Sequence, residues 1–175
     1  MTQDTRAFIA FGANLGDAVQ AHTDAIRAIN ALPSTRVYAR SSLYRSAPVG
    51  VLGHPDYINA VLEVRTELAP HTLLDALLAI EQHHGRTRSV TVSPRTMDLD
   101  LLLFGNAQID SATLKIPHPR MHMRAFVLLP LAEIDPALEI PGLGPLSRLL
   151  DKVADQVIHR LPPPGTTHTM ENALP

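Results

Sequence analysis

Two stretches of helical period, each enclosed by stretches of strand period, fill the first 104 residues, and that order restricts the possible folds more than any other feature. Ala7 to Phe11 is a run of apolar strand formers closed by Gly12, which predicts a buried strand. From Asp17 onward Val19, Ala25, Ile26, Ile29 and Leu32 recur at helical spacing until Pro33, which predicts a helix. Thr35 to Arg45 and Tyr57 to Glu67 read as strands. In the second of these, Ile58, Ala60, Leu62 and Val64 alternate with Asn59, Val61 and Glu63. A second helix is predicted from about Pro70, with Leu73, Leu74, Leu77 and Ile80 on one face and Gly85 as its stop. Met97 to Phe104 returns as a strand and Gly105-Asn106 turns it.

Strand, helix, strand, strand, helix, strand is the order of an α+β fold with a ferredoxin-like βαββαβ core, an antiparallel sheet with helices packed on it. Pro117 to Ala154 adds two short helices around the turn-rich Pro141 to Pro145, giving a C-terminal helical extension. With 175 residues, 45% of them hydrophobic, the chain has material for one core, and residues 1–161 are expected to form one domain. Residues 162–175, opening on three prolines, are expected to be a mobile Pro-rich tail.

Fifteen basic against seventeen acidic residues give a net charge of −2, which lacks the positive field of a general nucleic-acid binder. The absence of cysteine excludes disulfides, thiolate zinc sites and cysteine nucleophiles. The polar N-terminus and the lack of a long apolar run lead to the expectation of a cytoplasmic protein with no membrane partner. Only Lys115 and Lys152 are lysines, so the other basic residues are arginines, whose planar fork suits phosphate oxygens.

Asp98-Leu99-Asp100 stands inside an otherwise apolar strand. Alternate strand residues share a face, so the two carboxylates project together, about 7 Å apart. Such a pair either forms salt bridges with arginines at a strand start or holds a divalent cation, and oxygen-only ligands favour magnesium over zinc. Arg86, Arg88 and Arg95 lie just upstream. Carboxylates for magnesium beside arginines for phosphate make a parts list for phosphoryl transfer, with a salt-bridged loop as the ordinary alternative. Gly12-Ala13-Asn14-Leu15-Gly16 lacks the lysine and spacing of a P-loop. His118 and His122 have the spacing of zinc ligands on a helix, but Pro119 intervenes and no third ligand is evident. A ferredoxin-like binding module with structural aspartates is the rival of a different class.

Several strings, taken in order, carry a resemblance. They are Phe11 to Gly16, Tyr44 to Gly50, Pro55 to Ala60, Ile80-Glu81, Gly85-Arg86, Pro94 to Asp100, Pro117 to Pro119 and Arg124 to Leu128. Together they resemble the 6-hydroxymethyl-7,8-dihydropterin pyrophosphokinase family from about residue 7 to residue 150. The resemblance implies transfer of pyrophosphate from ATP to the pterin hydroxymethyl group in folate biosynthesis, releasing AMP. It implies two magnesium ions on Asp98 and Asp100, with Arg86 and Arg95 as further catalytic residues. On the ATP side it places Glu81, Arg88, Arg95, Leu101, His118 and Arg124. On the pterin side it places Ser46, Pro48, Val49, Tyr57, Asn59 and Phe126, where aromatic faces can stack and an amide can pair with the heterocycle edge. Val92 and Ser93 stand where many relatives carry an aromatic residue and glycine, and Ala13 where serine is common. The Arg86 to Arg95 loop is expected to close over ATP, and the protein to act as a monomer.

Overall fold

The computed structural model describes residues 3–14, 17–47, 56–86 and 97–163. The first strand, β1 (Thr5–Asn14), leads into α1 (Ala18–Asn30). Then come β2 (Thr35–Arg40), β3 (Tyr44–Ser46), β4 (Tyr57–Thr66), α2 (Pro70–Arg86) and β5 (Asp98–Phe104). A hairpin of β6 (Ile109–Asp110) and β7 (Lys115–Ile116) precedes a 3₁₀ turn at Met121–Met123 and α3 (Ala125–Ile134). The two-residue strands β8 (Glu139–Ile140) and β9 (Gly144–Pro145) lead to α4 (Leu146–Lys152) and β10 (Ile158–Arg160).

The fold is α+β around an antiparallel sheet. Its order is β10-β3-β4-β1-β5, with β2 also on β4. On one face, Ile9 and Phe11 of β1, Ile58, Leu62 and Val64 of β4, and Leu99 of β5 form a core with α1 and α2. On the other, Phe8, Val61, Leu102 and Leu103 pack against Val127, Leu128 and Leu131 of α3. The alternation read from the sequence is thus the sorting of side chains between two cores.

The structure differs from the sequence expectation in places with identifiable causes. Thr35 to Arg45 is two strands, because the Ser41 hydroxyl enters the ladder. Val61 donates its N–H to Ser41 Oγ at 2.9 Å, and Ser41 Oγ donates to the Ser42 carbonyl at 2.8 Å. A side chain competing with the backbone in this way interrupts a strand. In α1 the buried face runs through Ala18, Ala21, His22, Ala25 and Ile29, whereas Val19 is 47% exposed. Small alanines bring the helix close to the sheet, a face that a search for large apolar residues overlooks. Gly85 falls inside the last turn of α2 instead of after it. β10, which pairs with β3, carries too few residues to show a period. Among the described residues no helix is long and apolar enough to cross a membrane. The tail expected from residue 162 lies, from residue 164 onward, outside the described residues.

Candidate active site

Register places the chemistry. Tyr44 pairs with Asn59, Asn59 with Gly12, and Gly12 with Asp98. Directly paired residues point to the same face, so these four form one row across four strands, on the α3 side of the sheet. Neighbouring strands lie about 4.8 Å apart, which puts the Asn59 and Asp98 backbones roughly 10 Å from each other. Gly12 lies between them, and a Cβ built there would approach only Asn59 Oδ1, at 3.6 Å. The glycine therefore leaves an opening in the row between an amide and a carboxylate.

At the carboxylate end, Asp98 is half-buried and Asp100, two residues on, is exposed. Beside them is a cavity of about 390 Å³, to which Glu81, Leu101 and His118 also contribute. Glu81 reaches from α2 to accept the Leu99 N–H at 2.6 Å. Leu99 sits between the aspartates on an edge strand, so this bond fixes the strand that presents them and satisfies an edge donor. His118 follows the β6–β7 hairpin, and its own N–H bonds to the Leu102 carbonyl at 2.9 Å. Its Nδ1 accepts the Arg120 N–H at 3.2 Å, so the neutral ring carries its proton on Nε2. Burial lowers the His118 pKa against the opposing pull of Asp100, with Arg124 and Arg120 lowering it further. The ring is thereby kept as a neutral donor.

At the amide end, Asn59 is 6% exposed and donates Nδ2–H to Ser46 Oγ at 2.7 Å. That bond orients the amide, and among the described residues Asn59 makes no other side-chain hydrogen bond. Tyr57 pairs with Ser46 and so shares its face. Phe126, half-buried at the start of α3, carries the Arg124 guanidinium 5.4 Å from its ring centroid, a cation–π contact. Arg124 also acts electrostatically on His118. One arginine thus adjoins both Phe126 and His118.

The structure therefore brings Glu81, Asp98, Asp100, Leu101 and His118 to one cavity. It puts Ser46, Tyr57 and Asn59 together on neighbouring strands. Arg86 is the last residue of α2. Pro48, Val49, Arg88 and Arg95, and with them the loop expected to close, lie outside the described residues. Among the described residues no group of three or more His, Asp or Glu side chains could hold a metal, so nothing joins His118 and His122 as a third ligand there. Ser111, Thr113 and Lys115 of the hairpin also line the cavity and were not anticipated. The Gly105-Asn106 turn was the signal that the chain reverses there, but strands this short leave no pattern to read. Lys115 is paired with Asp110, whose carboxyl it holds below the usual range.

Comparison with known proteins gives the family of the chain. The model of the 7,8-dihydro-6-hydroxymethylpterin-pyrophosphokinase (HPPK) family matches residues 8–136. The chain is 45% identical over 157 residues to the 2-amino-4-hydroxy-6-hydroxymethyldihydropteridine pyrophosphokinase of Pseudomonas aeruginosa, covering 90% of this chain and 97% of that one. It is 34% identical over 158 residues to the folic acid synthesis protein fol1 of Schizosaccharomyces pombe, of which it spans 22%. Among solved structures, a triple-mutant Plasmodium falciparum HPPK-DHPS superposes with a TM-score of 0.72 at 14% identity, over 89% of this chain. The chain spans 44% of that protein's length, and the likeness is one of fold. On the extent and identity of these matches, the chain belongs to the 7,8-dihydro-6-hydroxymethylpterin pyrophosphokinase family.

Proposed function

We propose that this pyrophosphokinase of folate biosynthesis transfers the β,γ-pyrophosphoryl unit of ATP to the hydroxymethyl oxygen of 6-hydroxymethyl-7,8-dihydropterin, releasing AMP, across the opening over Gly12. The observation that carries the reading is the row itself: an oriented amide at Asn59, no side chain at Gly12 and a carboxylate at Asp98, all in register.

Asp98 and Asp100 suit magnesium as a donor set. They offer oxygen alone, and with no third protein ligand among the described residues the remaining positions fall to phosphate oxygens and water, as magnesium prefers. When bound, two such ions would neutralise charge on the triphosphate and orient it for in-line attack. The residues of the chain supply the rest. Glu81 holds the Asp98–Asp100 strand in place, and with Leu101 lines the nucleotide cavity. His118, neutral and protonated on Nε2, donates to the nucleotide. Arg86 and Arg95 would neutralise phosphate oxygens with Arg88 and Arg124 assisting, since the planar guanidinium fork matches those oxygens. Asn59, oriented by Ser46, pairs with the amide-like edge of the pterin. Tyr57 and Phe126 offer ring faces, and Pro48 and Val49 are further residues assigned to the pterin.

The strand order, with the β2–β3 run and β5 flanking β4 and β1, supports a ferredoxin-like core to which α3 and α4 are a C-terminal helical addition. We further take the protein to act as a monomer, since both ends of the site are built on one sheet. Incubation with ATP, magnesium and hydroxymethyl-dihydropterin is expected to give AMP as the stoichiometric nucleotide product. ADP in its place would mean attack at the γ-phosphorus and defeat the reading.

A further inference from the structure

One carboxylate that takes no part in this scheme gathers donors from three separate segments. Glu133, near the C-terminal end of α3, accepts the Ser42 N–H at 3.0 Å and the Ser42 hydroxyl at 2.7 Å on Oε1. The same oxygen receives an Arg160 guanidinium N–H at 3.2 Å. Its other oxygen accepts the Tyr44 hydroxyl at 2.7 Å. Arg160 also donates Nε–H to Ser42 Oγ at 3.0 Å, closing the network. Ser42 lies in the break between β2 and β3, Tyr44 opens β3 and Arg160 ends β10. A single side chain of α3 thus ties down the whole outer edge of the sheet.

Protonation keeps the donor and acceptor roles fixed. Burial disfavours the charged carboxyl of Glu133, but the Ser42 and Tyr44 hydroxyls, the Ser42 amide and Arg160 outweigh it and leave its pKa below the usual range. Burial and the bond to Glu133 push the Tyr44 phenol up to about 12. Neither group titrates near neutrality.

What the tie holds is the pterin slot. Tyr44 stands beside Asn59 in the row, and Ser46, on the same three-residue strand, accepts the Asn59 amide. On α3, Phe126 precedes Glu133 by seven residues, two helical turns, so both side chains share a helix face about 10 Å apart. A three-residue strand between two ladders has little to fix its distance from the helix above it. We propose that Glu133 is a positioning residue for the pterin: by fastening β3 to α3 it sets the separation between Ser46 and Asn59 on one side and Phe126 on the other, without touching the substrate. The inference rests on the pterin assignment made above.

The test is steady-state kinetics in both substrates on Glu133→Gln, which keeps the shape but puts an amide donor among donors. The pterin KM is expected to rise about tenfold, with the ATP KM and the kcat at saturating pterin within about twofold of the parent. A folded variant with unchanged pterin KM overturns the proposal, as does an equal rise in both KM values, which is the mark of general loosening. Should Glu133→Gln not fold, Tyr44→Phe and Ser42→Ala each remove one donor and are expected to raise the pterin KM severalfold. Unchanged values in both overturn it equally. Asn59→Ala separates the two levels. If it raises the pterin KM and Glu133→Gln does not, only the positioning role falls. If Asn59→Ala has no effect, the pterin assignment falls and the positioning role with it.

Discussion

On the α1 and α2 side of the sheet, Ile9, Phe11, Leu62, Val64 and Leu99 are each 2% exposed or less, and β1, β4 and β5 present no charge to them, the charges on that side being Arg40 and Arg45 of the flanking strands. On the α3 side the same strands alternate into Asn59, Glu63, Asp98 and Asp100 beside Phe8 and Val61. Glu63 is 2% exposed there, its carboxylate held by Arg6 at 2.9 Å and Arg65 at 3.2 Å. Arg6 in turn reaches Asp135, just beyond α3, at 2.8 Å. One face buries hydrocarbon and the other lodges paired polar groups around an opening. The difference teaches that a sheet of period two can separate the requirements of folding from those of chemistry, residue by residue.

If that division holds, damage on each face should have a different signature. The largest effect is expected from Asp98→Ala or Asp100→Ala, which should lower turnover by on the order of a thousandfold or more while leaving the unfolding midpoint close to that of the parent. Turnover near normal in either variant would remove the metal from the site. Next comes Leu62→Ala in the centre of the dry face. It should destabilise the protein by about 2–5 kcal/mol, read from denaturant unfolding. Both KM values should stay unchanged well below the melting temperature, and a selective change in one of them would show that the faces are not separable.

A smaller effect concerns the one polar side chain of α1 that the dry face takes in. His22 is 7% exposed, edge-on to Phe11 at 5.1 Å, and its Nε2 has no hydrogen-bond partner among the described residues. Burial, helped by Arg40, lowers its pKa from 6.5 to about 4. The unfolded chain takes up this proton near 6.5 and the folded protein only near 4, so stability is lost as pH falls through that window. The loss is at most on the order of 3 kcal/mol. His22→Leu should flatten this part of the pH dependence when unfolding is compared at pH 7 and pH 4.5. An unaltered slope would assign the acid sensitivity to carboxylates such as Glu133.

Much of this arrangement could be read from the sequence because it depends on period. The alternation of Ile58 to Val64 sorted β4 between the faces, and Asp98-Leu99-Asp100 put two carboxylates on one side. Asn59 was conspicuous as a polar residue among apolar neighbours in mid-strand. What depends on partners distant in sequence could not be read. The row needs the pairing of β1 with β5, some 90 positions away, and Gly12 looked like a turn residue until that register gave it neighbours. Glu133 gave no signal, because its partners Ser42 and Tyr44 lie about 90 residues earlier and Arg160 lies on a strand too short to anticipate. The Ser41 break escaped for a related reason: a hydroxyl entering a ladder depends on which amide faces it, here that of Val61.

The ten-residue register between β1 and β4 has a consequence for how molecules of this protein can fail. A slip of one residue turns every β1 side chain to the opposite face. Phe11 or Ala13 would then stand between Asn59 and Asp98, while Gly12 and Ala10 would replace aromatic and aliphatic groups in the core. The same error would block the passage between the two substrates and hollow out the interior. A misregistered chain would therefore be inactive and unstable at once, with no intermediate population of altered selectivity. In a refolded preparation, the fraction of molecules that turn over substrate should count the fraction with the correct strand pairing.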